Sequence, residues 1–188
     1  NIIAHQFLKS DCDHLMFIDA DMTFAADDII RLMCWNQDKA IVAGAYEARK
    51  EGKVYIVSLD GGHGVNGPQG KVTMDEAGLV RAYRVATGFM MIQRRVFEVL
   101  KAAHPEWEHK DTNTEERMYA YFDFKCTPDG YIGEDFLFCD RAREVGLDIW
   151  LDPTIKLGHM GIHEFKSDFG KDVLYPSMMA AQTLSTAA

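Results

Sequence analysis

Two aspartates one residue apart, Asp19 and Asp21, stand directly after an apolar run in His14-Leu-Met-Phe-Ile-Asp19-Ala-Asp21-Met-Thr23. The run 15–18 reads as a short buried strand, and in open α/β sheets ligands gather at the carboxyl ends of strands. Two like charges there repel one another unless a cation sits between or beside them. The chemistry to expect is a hard divalent metal carrying a phosphorylated substrate. A D-x-D pair on a solvated turn is the plain structural alternative.

Three further groups of residues could take part. Gly133-Glu134-Asp135 opens a segment with helical patterning. Free N–H groups in a first helical turn favour negative charge, so a carboxylate there can stay ionised and accept a proton from an attacking hydroxyl. Helix capping alone would also explain these residues. His159-Met-Gly-Ile-His163 places two histidines four apart, but the intervening Gly161 weakens a helix, and the more economical expectation is that one of them completes a metal site begun by Asp21. An imidazole ligand favours Mn²⁺ over Mg²⁺. A loop histidine bonded to backbone is the alternative for each. Finally, Arg49-Lys50 follows a buried run at 40–44, where a cationic pair could meet a diphosphate or simply be solvated.

The elements that must hold these groups can be read coarsely. Helix 2–10, strand 14–18, helix 26–36 and strand 40–44 make a β-α-β alternation, which predicts a parallel sheet. Asp27 and Asp28 suit the first turn of the second helix. Segments 54–59 and 71–74 flank a glycine-rich stretch that reads as a wide hairpin loop, since neither a helix nor G-K-[ST] follows it. Strands are predicted at 79–86 and 89–92, a helix at 95–103, and a charged connecting loop at 106–117. A weak strand at 119–124, a helix at 134–145, and strands at 148–151 and 155–157 follow. No repeat and no second domain is evident, and the structure of the tail 166–188 is not predicted.

The 188 residues suffice for one domain with a true core. A net charge of −9 argues against general nucleic-acid binding. The four cysteines, Cys12, Cys34, Cys126 and Cys139, lack C-x-x-C spacing and read as free thiols of a reducing cytoplasm. No signal peptide or transmembrane segment is seen.

Taken in order, Phe-Ile-Asp19-Ala-Asp21-Met-Thr-Phe, Ile41-Val-Ala-Gly44-Ala-Tyr46-Glu-Ala-Arg49, Ala86-Thr-Gly88-Phe-Met-Met-Ile, Gly133-Glu134-Asp135-Phe-Leu-Phe-Cys-Asp-Arg-Ala-Arg, Gly146-Leu-Asp-Ile-Trp-Leu-Asp and His159 resemble a glycosyltransferase of the GT-A fold, nearest to the family 2-like members of phages and bacteria. The resemblance implies an α/β fold, a mixed sheet flanked by helices, and a metal-dependent, inverting transfer of sugar from a nucleotide-diphosphate donor (a UDP- or GDP-sugar) to a glycan, protein or other hydroxyl acceptor. It implies Asp19 near the ribose and metal, Asp21 and His159 as metal ligands with Mn²⁺ preferred to Mg²⁺, and Gly88 and Phe89 lining a donor-sugar or acceptor pocket. It further implies Glu134-Asp135 as the acid pair whose aspartate serves as base, and a cytoplasmic location. The strand and loop that bind the nucleotide base in that fold would lie upstream of Asn1, so the chain reads as N-terminally truncated. Two rivals share parts of the pattern. One is a haloacid-dehalogenase-type phosphohydrolase with Asp19 as nucleophile. The other is a module that binds a sugar nucleotide or glycan without turnover.

Overall fold

A computed structural model of the chain describes residues 1–50, 54–61, 70–128, 130–161, 164–176 and 178. His163 and residues 62–69 of the glycine-rich stretch lie outside these, as do the last ten residues of the tail. The first third comprises α1 (Ile2–Lys9), β1 (His14–Ile18), β2 (Met22–Thr23), α2 (Ala26–Trp35) and β3 (Ile41–Ala43). β4 (Val57–Gly61), β5 (Gly70–Lys71), β6 (Val80–Val85), β7 (Phe89–Gln93) and α3 (Arg94–Ala103) follow. Next come β8 (Glu108–Lys110), β9 (Arg117–Tyr119), β10 (Lys125–Thr127), β11 (Gly130–Ile132) and α4 (Glu134–Glu144). The last strands are β12 (Ile149–Leu151), β13 (Gly158–Met160) and β14 (Glu164–Lys166). Among the described residues no helix is long and apolar enough to cross a membrane.

The main sheet has the order β1-β7-β3-β12-β6-β4-β5. Its β3–β12 pair is parallel, and the other pairs are antiparallel. The fold is therefore α/β with a mixed sheet, and the parallel sheet expected from β-α-β alternation is corrected. β1 and β3 do run the same way, but β7 lies between them: Met90 pairs with both Phe17 and Ala43. A later strand inserted between two earlier ones cannot be read from local alternation.

Both faces of this sheet are covered, which is why its central strands are apolar at successive positions. Met90 and Ile92 of β7 join one core with Phe97, Phe138 and Leu100 from α3 and α4. Phe89 and Met91 point the other way, onto Leu32 of α2, Ile155 and Leu157. Helix α2 begins where the Asp28 carboxylate accepts a hydrogen bond from the Ala25 N–H at 2.9 Å, satisfying a donor that the first turn leaves free. Helix α4 is fixed on β6 by a two-bond Arg84–Asp140 pair at 2.7 and 2.6 Å.

Three predicted segments differ. The charged connection at 106–117 contains a 3-10 turn and β8, which pairs with β9. Residues 155–157 are coil, not a strand, with Ile155 and Leu157 buried against Leu32 of α2 and Lys156 exposed. The ordered pattern does not end there, because β13 pairs with β14 on one side and β2 on the other, in a separate three-stranded sheet.

Candidate active site

Strands β1, β3 and β12 end, and β7 begins, at one edge of the main sheet. The loops there are stitched together. Asp19 N–H donates to Gly88 O at 3.0 Å, Gly44 N–H to Phe89 O at 3.0 Å, and Asp152 N–H to Ala43 O at 3.1 Å. The two-residue turn Thr87-Gly88 between β6 and β7 is the pivot of this edge.

On one side of the pivot stands Asp135, the second residue of α4. Its Oδ2 accepts from the Thr87 N–H at 3.1 Å and its Oδ1 from the Thr87 hydroxyl at 3.0 Å. Burial raises the proton affinity of this carboxyl, the two Thr87 bonds pull it back, and the negative charges of Glu134 and Asp19 raise it further; the result lies above the ordinary carboxylate range. Glu134 itself is exposed and lines a shallow cleft with Tyr131, Gly133, Asp135 and Phe136.

At the pivot itself the backbone of Gly88 is crowded. Its N–H donates to the Tyr46 hydroxyl at 3.2 Å. A Cβ at Gly88 would stand 2.3 Å from that hydroxyl and 2.7 Å from Asp19 Oδ2. Glycine is required here for close approach, which differs from the pocket-lining role expected of it. Tyr46 is buried, and burial together with the charges of Asp19, Asp135 and Asp21 keeps its phenol protonated far above neutrality.

On the other side, Asp21 lies just before β2 and His159 is the middle residue of β13. Their spacing is set by β-pairing: His159 is opposite Met22, and Met160 N–H donates to Asp21 O at 2.8 Å. Thr23 Oγ1 donates to Glu164 Oε1 at 2.8 Å across Gly158, where a Cβ would come within 2.1 Å of the threonine oxygen. His159 Nδ1 is 2.8 Å from the Glu47 carbonyl, so this nitrogen carries the hydrogen and donates it. Nε2 then faces Asp21 Oδ2 at 3.5 Å, and Arg49 Nη1 meets the same oxygen at 2.8 Å. A ring nitrogen whose partner nitrogen is fixed by a backbone carbonyl is the arrangement of a metal-ligating imidazole. Asp21 and His159 are thus placed where they could supply two ligands to a divalent cation.

The structure thus brings Asp21, His159 and Arg49 together and sets Asp19 with Gly88, Tyr46 and Asp135. Among the described residues no three His, Cys, Asp or Glu side chains share one metal-binding point, so Asp19 is not gathered with the Asp21–His159 pair. Phe89 is not a lining residue: its ring is fully buried, and the exposed Phe24 packs over it with centroids 5.2 Å apart. His159 lies within a strand rather than after one. Sequence reasoning missed Thr87 and Tyr46. Tyr46 stood in the quoted segment, but attention went to the charges beside it, and a hydroxyl that acts through a glycine 42 positions away has no local signature.

No protein-family model and no curated protein matches the sequence. The class that fold and edge define is a mixed α/β domain with its polar residues collected at one sheet edge. A solved structure similar to it in fold is A197 from STIV, at 18% identity with a TM-score of 0.51. The alignment covers 85% of this chain and 64% of that one, a likeness of fold.

Proposed function

We propose that the chain is a glycosyltransferase that moves a sugar from a nucleotide-diphosphate donor, a UDP- or GDP-sugar, to an acceptor hydroxyl with inversion. The observation that carries this reading is the pair of unlike carboxylates on either side of Thr87-Gly88. Asp21 faces the guanidinium of Arg49, and Asp135 faces neutral donors and has a raised proton affinity.

Each group has a task in that reaction. Arg49 offers its remaining N–H groups to the diphosphate. A divalent ion at Asp21 and His159, Mn²⁺ in preference to Mg²⁺ because of the imidazole, supplies neutralisation of the charge on the leaving group. Asp19, which is exposed, faces uncharged ribose hydroxyls of the donor, and the buried Tyr46 positions the Gly88 turn beside it. Asp135 takes the proton of the acceptor hydroxyl as its oxygen bonds the anomeric carbon and the carbon–phosphate oxygen bond breaks. General-base help of this kind contributes roughly 10²–10⁴-fold. Thr87 holds both Asp135 oxygens and so fixes which lone pairs meet the acceptor.

The phosphohydrolase rival fits less well, since its later acidic motif should follow a buried strand. Here Glu134-Asp135 follows the β10–β11 hairpin, which is largely exposed. The test is a panel of UDP-, GDP- and CMP-sugars with and without Mn²⁺, comparing the wild type with Asp21→Asn. Metal-dependent donor turnover lost in the variant, with an inverted product anomer by NMR, is the expected result. Equal activity in both proteins would sink the metal assignment, and donor binding without turnover would make this a binding module.

A further inference from the structure

The β10–β11 hairpin leads directly into Glu134-Asp135 and carries two aromatic rings in solvent. Phe124 is 59% exposed and Tyr131 65%. Their rings stack on each other, with centroids 5.7 Å apart and planes 27° from parallel. Large apolar side chains left exposed together mark a contact surface. The hairpin is built to hold them out: Cys126 pairs with Tyr131, Lys125 with Ile132, and the Thr127 hydroxyl closes the turn on Gly130 O at 3.0 Å.

Tyr131 also walls the cleft of about 250 Å³ that contains Gly133, Glu134, Asp135 and Phe136. One small cleft therefore joins an aromatic face to two carboxylates. An anionic ligand would be repelled by Glu134 and Asp135 and by a chain of net charge −9. A lipid chain would use the rings and leave the carboxylates without donors. An uncharged saccharide uses both. The C–H face of a sugar ring packs on an aromatic face, as apolar surface does on such rings, and its hydroxyls donate to carboxylate oxygens.

We propose that Phe124 and Tyr131 form the platform of an acceptor subsite for an uncharged saccharide, stacked so that one of its hydroxyls reaches Asp135. The acceptor is thereby a glycan rather than a phosphorylated alcohol, an assignment that deepens the transferase reading and rests on it for the chemical step. Binding itself does not depend on that step, so the two can fail separately.

The experiment is saturation-transfer NMR on the whole chain with maltose, cellobiose, lactose and chitobiose as probes, for wild type, Tyr131→Phe, Tyr131→Ala and Phe124→Ala. Donor hydrolysis, in which water replaces the acceptor, is measured alongside. At least one disaccharide is expected to bind the wild type and Tyr131→Phe alike, through protons of one ring face. About tenfold weaker binding is expected in Tyr131→Ala. Failure of every disaccharide to bind the wild type, or equal binding by Tyr131→Ala, overturns the proposal. So does a concentration-dependent dimer of the wild type that Tyr131→Ala abolishes, because the rings would then cover a second copy. Saccharide binding without any donor turnover leaves the platform standing and removes the transferase reading.

Discussion

Asp21 and Asp135 are the same residue type on opposite sides of Tyr46, and their surroundings differ in kind. Asp21 meets a guanidinium at 2.8 Å and an imidazole nitrogen at 3.5 Å. Asp135 meets an N–H and a hydroxyl of one threonine and is crowded by the charges of Glu134 and Asp19. A carboxylate beside a guanidinium is a place for charge to rest. One among dipoles and like charges is a place for a proton to land. The fold makes the difference by hanging one aspartate on a small antiparallel sheet and the other on a helix start.

Substitutions can break that contrast, and the largest effect is expected at the proton-accepting side. Asp135→Asn keeps the shape and removes the base, so kcat should fall by roughly 10²–10⁴-fold while donor KM stays within a few-fold in steady-state kinetics. Asp21→Asn should do the converse. Mn²⁺-dependent binding of the nucleoside diphosphate, followed by calorimetry, should weaken by roughly 10–100-fold or more. Identical kinetic signatures in the two variants would erase the distinction.

Gly88→Ala strikes the pivot that both sides share. The added methyl would stand 2.3 Å from a buried tyrosine hydroxyl, and overpacking of this sort costs about 1–3 kcal/mol. A lowered Tm is the expected observation, and an unchanged melt would mean that the turn is looser than its contacts imply.

Thr87→Val is the smallest and most selective change. The threonine hydroxyl favours the ionised form of Asp135, so its loss raises the proton affinity of the carboxyl further. The acid limb of the kcat profile should move to higher pH, and Thr87→Ser should restore it. The sign for stability is the same. A carboxyl whose proton affinity rises on folding costs stability once the unfolded chain has released that proton. The cost grows as pH climbs from the ordinary carboxylate value to the folded one, then levels off. The valine variant should therefore lose more Tm than wild type between pH 4 and pH 8.

Much of this was legible in the chain. The apolar runs gave β1, β3 and β7 nearly to the residue: β3 and β7 are buried on both faces and need no alternation, while β1 is a half-buried edge strand. Asp21, Asp135 and His159 were visible because they adjoin strands or a helix start, where chemistry gathers. Less local facts were hidden. The insertion of β7 between β1 and β3 depends on pairings 47 to 79 residues apart. The burial of Phe89 depends on α2 covering that face of the sheet. Thr87 looked like an ordinary turn residue, and nothing short of the folded chain shows that α4 starts beside it. The rings of Phe124 and Tyr131 were read only as part of a weak strand and a connection, since exposure is a property of the whole surface.

The placement of β12 also governs how the molecule is made. It occupies the middle of the main sheet, between β3 and β6, yet it is more than a hundred residues later in the chain than β3. At a synthesis rate of about 5–20 residues per second, β3 waits roughly 5–20 s for its neighbour. During that interval the nascent chain carries two unpaired strand edges, which are templates for association with other chains. Because the completed edge of the sheet carries the polar cluster, a ribosome-bound chain can have every one of Asp19, Asp21, Thr87 and Asp135 and still have no assembled site.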